Sequence, residues 1–370
     1  MKRYLSILLV LFLFLQCKQA PKKTTENKTV SSTIKYAKGF DIIAENGLKK
    51  LIIKRAYQGT NEHFSYILSH TTNLSKQEIK VPVEKIVVTS TTHIPMLELL
   101  NAENTIVGFP HTQYISSQRT RNRIKEGQIV ELGMEQDINM ETLLDIRPEL
   151  VVGFALHPNT KLYQNIKKTG IPVIFNGDWL EETPLGRAEW IKFFGALYGK
   201  EKEADSIFTN IENEYLRAKK IAKSSDTQPT IISGSMFKDV WNVPAGESFT
   251  ATLFNDANLN YLWKDTKGTG SLPLSFESVL EKGQHADFWL NCGVYTSKEQ
   301  LTAANIHYQE FDAFTHNKIF SIGHDKGETG GLVYYELSPV RPDLVLKDLI
   351  KITQPGLLPE YELTFYKEVK

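Results

Sequence analysis

Cysteine is almost absent from this 370-residue chain: Cys17 and Cys292 stand far apart and alone, which excludes a disulfide framework and a cysteine zinc site. Charge of one sign is lacking as well. The 43 Lys and Arg residues balance 43 Asp and Glu, so no basic stripe exists to follow a phosphate backbone, and nucleic acid is not an expected partner. No apolar run reaches the roughly 20 residues that a membrane-spanning helix needs. Catalytic signatures are missing too. The nine His include no HExxH, no His-x-His and no Glu-x-x-His, and there is no G-x-S-x-G elbow. Gly268-Thr269-Gly270 lacks both the Lys-Ser/Thr of a phosphate loop and the further Gly of a dinucleotide turn. An exported α/β enzyme is therefore disfavoured against a binding protein, and no catalytic residue is assigned. The remaining composition, 41% hydrophobic and 23% charged, is ordinary for one large or two medium globular domains.

What is present begins with Met1-Lys2-Arg3, followed by the apolar run LSILLVLFLFL over residues 5–15 and then Gln16-Cys17. A basic start and a short apolar run read as a cleaved export signal over residues 1–16. Cys17, directly after that run, resembles the lipidated Cys of bacterial lipoproteins, with Gln16 where a small residue is usual. The resemblance implies a lipid on Cys17 that tethers the protein to the membrane at the periplasmic side of the cell envelope. Residues 17–35 are polar and cannot bury enough surface to order themselves, so they read as a flexible tether. Removing the signal leaves 41 basic and 43 acidic side chains, still close to neutral.

Residues 36–69 alternate in strand fashion around Asn46-Gly47, a strong hairpin signal. After Val81-Pro82, short apolar strands alternate with helical stretches: EKIVVTS, MLELLNAEN, TIVGF, METLLDIRP, ELVVGF, KLYQNIKKTG and PVIFN. That is βα repetition with buried parallel strands, whose small or polar ends mark the ligand crevice of an open α/β sheet. Residues 186–223 run without Pro, with Trp190, Phe193, Phe194 and Leu197 at helical spacing, and predict one long amphipathic helix. A second βα series follows in PTIISGS, FESVLEKG, ADFWLNC, KIFSIG and the terminal PDLVLKDLIKITQP. The expected fold is thus two Rossmann-like α/β lobes, at 36–183 and 228–370, joined by one long helix within 184–227 with the ligand cleft between them. An internal repeat supports this division: METLLD (140–145) before LVV parallels FESVLE (276–281) before FWL.

The order of INMETLLDIRPELVVG, GRAEWIKFFGALYGKEKEA, WNVPAGESF and LSFESVLEKGQHADFWLN resembles the substrate-binding proteins of ABC importers for iron complexes and vitamin B12. In that class, one helix bridges two α/β lobes. The resemblance covers about residues 81–355. It implies an ABC permease and its ATPase as partners, with Glu141 and Glu277 docking into basic pockets of the permease. It also implies a small-molecule metal chelate as cargo: a ferric siderophore first, cobalamin second and haem third. No resident cofactor is expected, since iron or cobalt would arrive inside the chelate.

The strand-end loops supply the candidate ligand residues. The first lobe offers Ser90, Thr91, Thr92 and His93, then Phe109, His111 and Tyr114, and further on Met134, Phe154, His157 and Trp179. The second offers Met236, Trp241, Thr269 and Ser271, then Tyr295, Tyr335 and Arg341. Aromatic faces grip large flat ligands, and an Arg fork suits an anionic chelate. Arg341 also has Glu336 and Asp343 as possible partners, and Tyr334 and Tyr335 would point to opposite faces if extended. Trp190, Trp263 and Cys292 read as core residues. His93, His111 and His157 could instead converge on a bare metal ion.

Overall fold

The computed structural model describes residues 32–45, 47–59, 62–71, 78–134, 136–154 and 161–370. The export signal, Cys17, the tether up to residue 31, Asn46 and His157 lie outside the described residues. The described chain opens with a four-stranded sheet: β1 (Phe40–Glu45), β2 (Leu48–Ile53), β3 (Phe64–Ser69) and β4 (Glu78–Lys80). The first three strands pair antiparallel, and β4 runs parallel to β3. Glu45 opposes Leu48, the register of a hairpin with a two-residue connection. The sequence reading anticipated that hairpin and strand alternation as far as residue 69, but not β4. Phe40, Leu51 and Ile53 are buried, and Phe40 packs its ring 4.4 Å from that of Trp190.

The first α/β lobe contains β5 (Ile86–Val88), β6 (Ile106–Phe109), β7 (Val130–Glu131), a small hairpin of β8 (Gly133–Met134) and β9 (Asp137–Ile138), β10 (Leu150–Gly153) and β11 (Val173–Phe175). Its main sheet has the order β11-β10-β5-β6-β7, and every pairing is parallel. β5, β10 and β11 are buried along their whole length, as expected where helices cover both faces. The second lobe contains β12 (Thr230–Ser233), β13 (Met236–Phe237), β14 (Val240–Pro244), β15 (Asn260–Tyr261), β16 (Ser271–Leu274), β17 (Phe288–Leu290), β18 (Ile319–Ser321) and β19 (Lys367–Glu368). Its main sheet has the order β15-β12-β17-β18-β19, with β13-β14-β16 as a separate antiparallel sheet. The two main sheets therefore share one topology, β6-β5-β10-β11 matching β15-β12-β17-β18. The repeated segments fall at the same place in each, on helices Met140–Ile146 and Phe276–Gly283 that lead into β10 and β17.

The connection between the lobes differs from the single helix expected over 186–223. Three helices stand there: Pro184–Glu189, Ile191–Tyr198 and Glu201–Ala222. Gly199 ends the second in the left-handed region, with φ +65°, a conformation that costs glycine little and closes a helix. The 22-residue helix Glu201–Ala222 runs through both cores, and the short helix Pro184–Glu189 also gives Leu185 to the second core and Ala188 to the first. The buried stripe of the 22-residue helix runs Ala204, Phe208 and Ile211 into the first core, then Tyr215, Ala218 and Ala222 into the second. The steps alternate between four and three residues, so one helix face serves both lobes.

The expected tether also ends earlier than residue 35. Backbone N–H groups of Lys35, Tyr36 and Ala37 donate to the buried Glu189 carboxylate at 2.6–3.0 Å, and those of Lys38 and Gly39 to Glu181 at 2.7–3.0 Å. Each buried carboxylate is thereby satisfied, and the chain entering β1 is pinned to the first of the three linking helices and the loop before it.

Candidate functional site

Ends of strands from both lobes enclose two adjoining compartments. The first, about 420 Å³, is formed by residues 89–91 after β5, by Phe109, Pro110, His111 and Tyr114 at the end of β6, and by Phe154 after β10. Residues 330–332 and Tyr335 of the second lobe complete it. The second, about 670 Å³, lies between Trp179 and Arg187 on one side and Pro244, residues 248–250 and residues 269–271 on the other. Residues 55 and 57–59 of the amino-terminal sheet form part of its wall. The rings of Phe154, at the first, and Trp179, at the second, stand 5.7 Å apart, so the two linings touch at that pair.

Beside the first compartment the lobes are bonded to each other. Glu336 accepts the N–H groups of Ser116 at 2.6 Å and Ser117 at 2.9 Å. Thr329 donates its hydroxyl to the Gln113 carbonyl at 2.7 Å, and Glu328 accepts from Arg121 at 3.3 Å and Lys125 at 2.6 Å. Burial pushes the Glu336 pKa up to about 7, against the pull of the two N–H donors.

The structure places seven of the expected residues, Ser90, Thr91, Phe109, His111, Tyr114, Phe154 and Tyr335, around the first compartment, and Trp179, Thr269 and Ser271 around the second. Tyr114 and Tyr335 are each 56% exposed, so both rings are available for contact. His111 lies against the Tyr114 ring at 5.3 Å. Other expected residues stand apart. The Thr92 hydroxyl donates to Asp178 at 2.7 Å, and Met134 is exposed on β8 outside both linings. Met236 and Tyr295 rest partly buried against the second core.

Three expectations are corrected. His93 is fully buried in the first core against Phe194, with neither ring nitrogen partnered, and burial pushes its pKa down to about 3. The helix begins at His93 itself, which turns that side chain inward and removes it as a ligand candidate. The convergence of three His on a metal fails with it, and among the described residues no group of three or more metal-ligating side chains occurs. Trp241 is not a loop residue. It is fully buried in β14, its ring is 5.3 Å from Trp289, and Nε1 donates to the Ser233 carbonyl at 3.0 Å. Arg341 is a closed bidentate pair with Asp343, at 2.9 and 2.7 Å, and offers no fork to a ligand. Tyr334 is buried while Tyr335 faces the cleft, but the cause is the short helix Val333–Leu337 and not an extended strand.

Sequence reasoning missed Arg55, Tyr57 and Arg187. Arg187 donates to the carbonyls of Trp179 at 2.9 Å and Glu181 at 3.2 Å, and its guanidinium sits 3.6 Å from the centre of the Phe249 ring of the second lobe. The available signal was an Arg embedded in the otherwise apolar face of GRAEWIKFFG, since a cation in such a place needs partners.

Comparison with known proteins places this geometry. The model of the periplasmic binding protein family matches residues 86–325. An uncharacterized lipoprotein of Methanocaldococcus jannaschii is 25% identical over 361 residues, covering 89% of this chain and 83% of its own. A possible iron-binding (periplasmic solute-binding) protein from Staphylococcus epidermidis superposes with a TM-score of 0.57 at 15% identity, covering 74% of this chain and 99% of that one. The periplasmic heme binding protein of Vibrio cholerae gives 0.55 at 18%, covering 71% and 99%. At these identities the structural likenesses establish the fold. The family match starts at β5, so the amino-terminal sheet lies outside it.

Proposed function

The chain belongs to the periplasmic binding protein family, and from that membership we propose that it captures a ferric siderophore-type complex between its lobes and delivers it to the permease of an ABC importer. The observation that carries this reading is the first compartment, where Tyr114, Phe154 and Tyr335 from the two lobes surround a space also lined by Thr89, Ser90 and Thr91. Aromatic faces with a few orienting polar groups suit a bulky, partly apolar chelate. Haem is the alternative, supported by the likeness to the Vibrio protein and by phenol and imidazole donors in the same space.

Export and a lipid on Cys17 are part of the proposal, supported by the amino-terminal sequence and by the lipoprotein relative. Docking is assigned to Glu141 and Glu277, which are exposed at the first turns of the two repeated helices, behind the capping side chains of Asn139 and Ser275. Paired charges at equivalent places on the two lobes can register a permease by charge complementarity.

Tryptophan quenching with a panel of ferric siderophores, cyanocobalamin and haemin tests the cargo. A ferric siderophore should quench the wild type, and the Phe154→Ala, Tyr335→Ala double variant should bind it at least roughly tenfold more weakly. Response to cobalamin or haemin alone would reverse the order of ligands.

A further inference from the structure

We propose that the second compartment is a subsite for a carboxylate-bearing arm of the cargo and that the amino-terminal sheet, through Arg55, makes the cleft selective for such chelates. The proposal rests on the cargo reading above and adds to it an element that lies outside the matched family region. Two guanidinium groups border this one space. Arg187 is held by two backbone carbonyls and by the Phe249 ring, and its Nη1 has no partner among the described residues. Among the described residues the Arg55 guanidinium is paired through Nη1 alone, to Glu182 at 3.2 Å, which leaves its other donors unused there.

The two carboxylates that line this space are already engaged. Glu181 accepts from the N–H groups of Lys38 and Gly39 and from the Trp190 indole at 3.0 Å, and Glu182 accepts from Lys38 and Arg55. The buried Asp178, which acts on Arg187 and whose Oδ1 has no partner, lies outside this lining, so an incoming carboxylate would meet the unused Arg55 donors and only paired carboxylates at the wall, the pattern that favours a charge-assisted fork. Thr250, Thr269 and Ser271 of the second lobe line the same space.

Arg55 is fixed at this wall by its backbone. The N–H groups of Lys54 and Arg55 both donate to the Gly39 carbonyl, at 2.7 and 3.1 Å. Gly177, in the loop after β11, comes so close that a Cβ there would lie 2.2 Å from the Arg55 carbonyl oxygen. The amino-terminal sheet is therefore locked to the cleft-forming end of the first lobe and not merely appended to it. The linings of the two compartments touch at Phe154 and Trp179, so the proposed side arm of a chelate centred in the first passes that ring pair to approach Arg55 and Arg187.

The test compares wild type, Arg55→Ala and Arg55→Lys with two probes: ferric citrate, and a ferric trihydroxamate without a free carboxylate. Arg55→Ala should weaken ferric citrate binding roughly tenfold or more and change trihydroxamate binding less than about twofold, with Arg55→Lys recovering part of the loss. Thermal unfolding in metal-free trisodium citrate, against sodium chloride at equal ionic strength, reads the subsite without any chelated iron. Citrate should raise the wild-type midpoint and lose most of that effect in Arg55→Ala. Equal weakening of both ferric probes, or an unchanged citrate shift in the variant, would overturn the subsite. Failure of the wild type to bind either ferric chelate would sink the siderophore reading alone, and the citrate shift would still decide the role of Arg55.

Discussion

Glu336 of the second lobe accepts the backbone N–H of Ser116 in the first lobe at 2.6 Å, and its other oxygen accepts that of Ser117 at 2.9 Å. Burial raises its pKa from 4.5 to about 7, so the folded chain keeps a proton that the unfolded chain has already lost. The stability contributed by this group therefore falls as pH rises from about 4.5 to 7 and is level above, by at most roughly 3 kcal/mol. Denaturant unfolding of wild type and Glu336→Gln across that window should show the wild type losing ground as pH rises. A constant difference between the two would mean that the contact is not strained by charge burial.

His93 carries the opposite sign. Its folded pKa of about 3 lies below the ordinary 6.5, so the unfolded chain takes up a proton first and stability is lost as pH falls from 6.5 towards 3, at up to about 1.4 kcal/mol per pH unit. His93→Leu should flatten that acid limb and leave ligand affinity unchanged. Loss of ligand binding in this variant would return His93 to the cleft.

Glu141→Ala and Glu277→Ala should each reduce transport while leaving the affinity of the purified protein for its ligand intact. The double Glu→Lys change should do worse than the double Ala, since it adds repulsion against a basic permease surface. Association with the permease should weaken with ionic strength. Damage to ligand binding or folding by either alanine would remove that residue from the docking assignment.

A helix that inserts one stripe into both cores, together with direct bonds between the lobes at Glu336 and Thr329, resists wide opening. Small-angle scattering of empty and loaded protein should give nearly superimposable curves. A large compaction on loading would contradict a preformed cleft.

Much of this architecture was legible from apolar periodicity. The parallel strands announce themselves as short runs such as IVV at 86–88 and LVVG at 150–153, because strands covered on both faces have no polar side. The repeat at 140–145 and 276–281 correctly marked equivalent places in two sheets of one topology. The linking helix was overextended, since a pattern of Trp190, Phe193, Phe194 and Leu197 does not reveal that Gly199 ends that helix in the left-handed region before a new one starts at Glu201. Site residues were less legible. His93 and Trp241 sit next to true strand ends, and one residue of helix or strand phase decides whether such a side chain enters the core or the cleft. Arg341 was lost to a neighbour two positions away, while Arg55 and Arg187 gained their role from contacts across the fold that no local pattern encodes.

The central claim is that the cleft holds a ferric chelate, and a competition measurement tests it most directly. The mature protein is mixed with equal concentrations of a ferric siderophore set, cyanocobalamin and haemin, separated from free ligand by gel filtration, and its fraction assayed for iron, cobalt and porphyrin absorbance. Retention of about one iron per chain without porphyrin or cobalt is the predicted result; retention of cobalt or of haem in its place would contradict it.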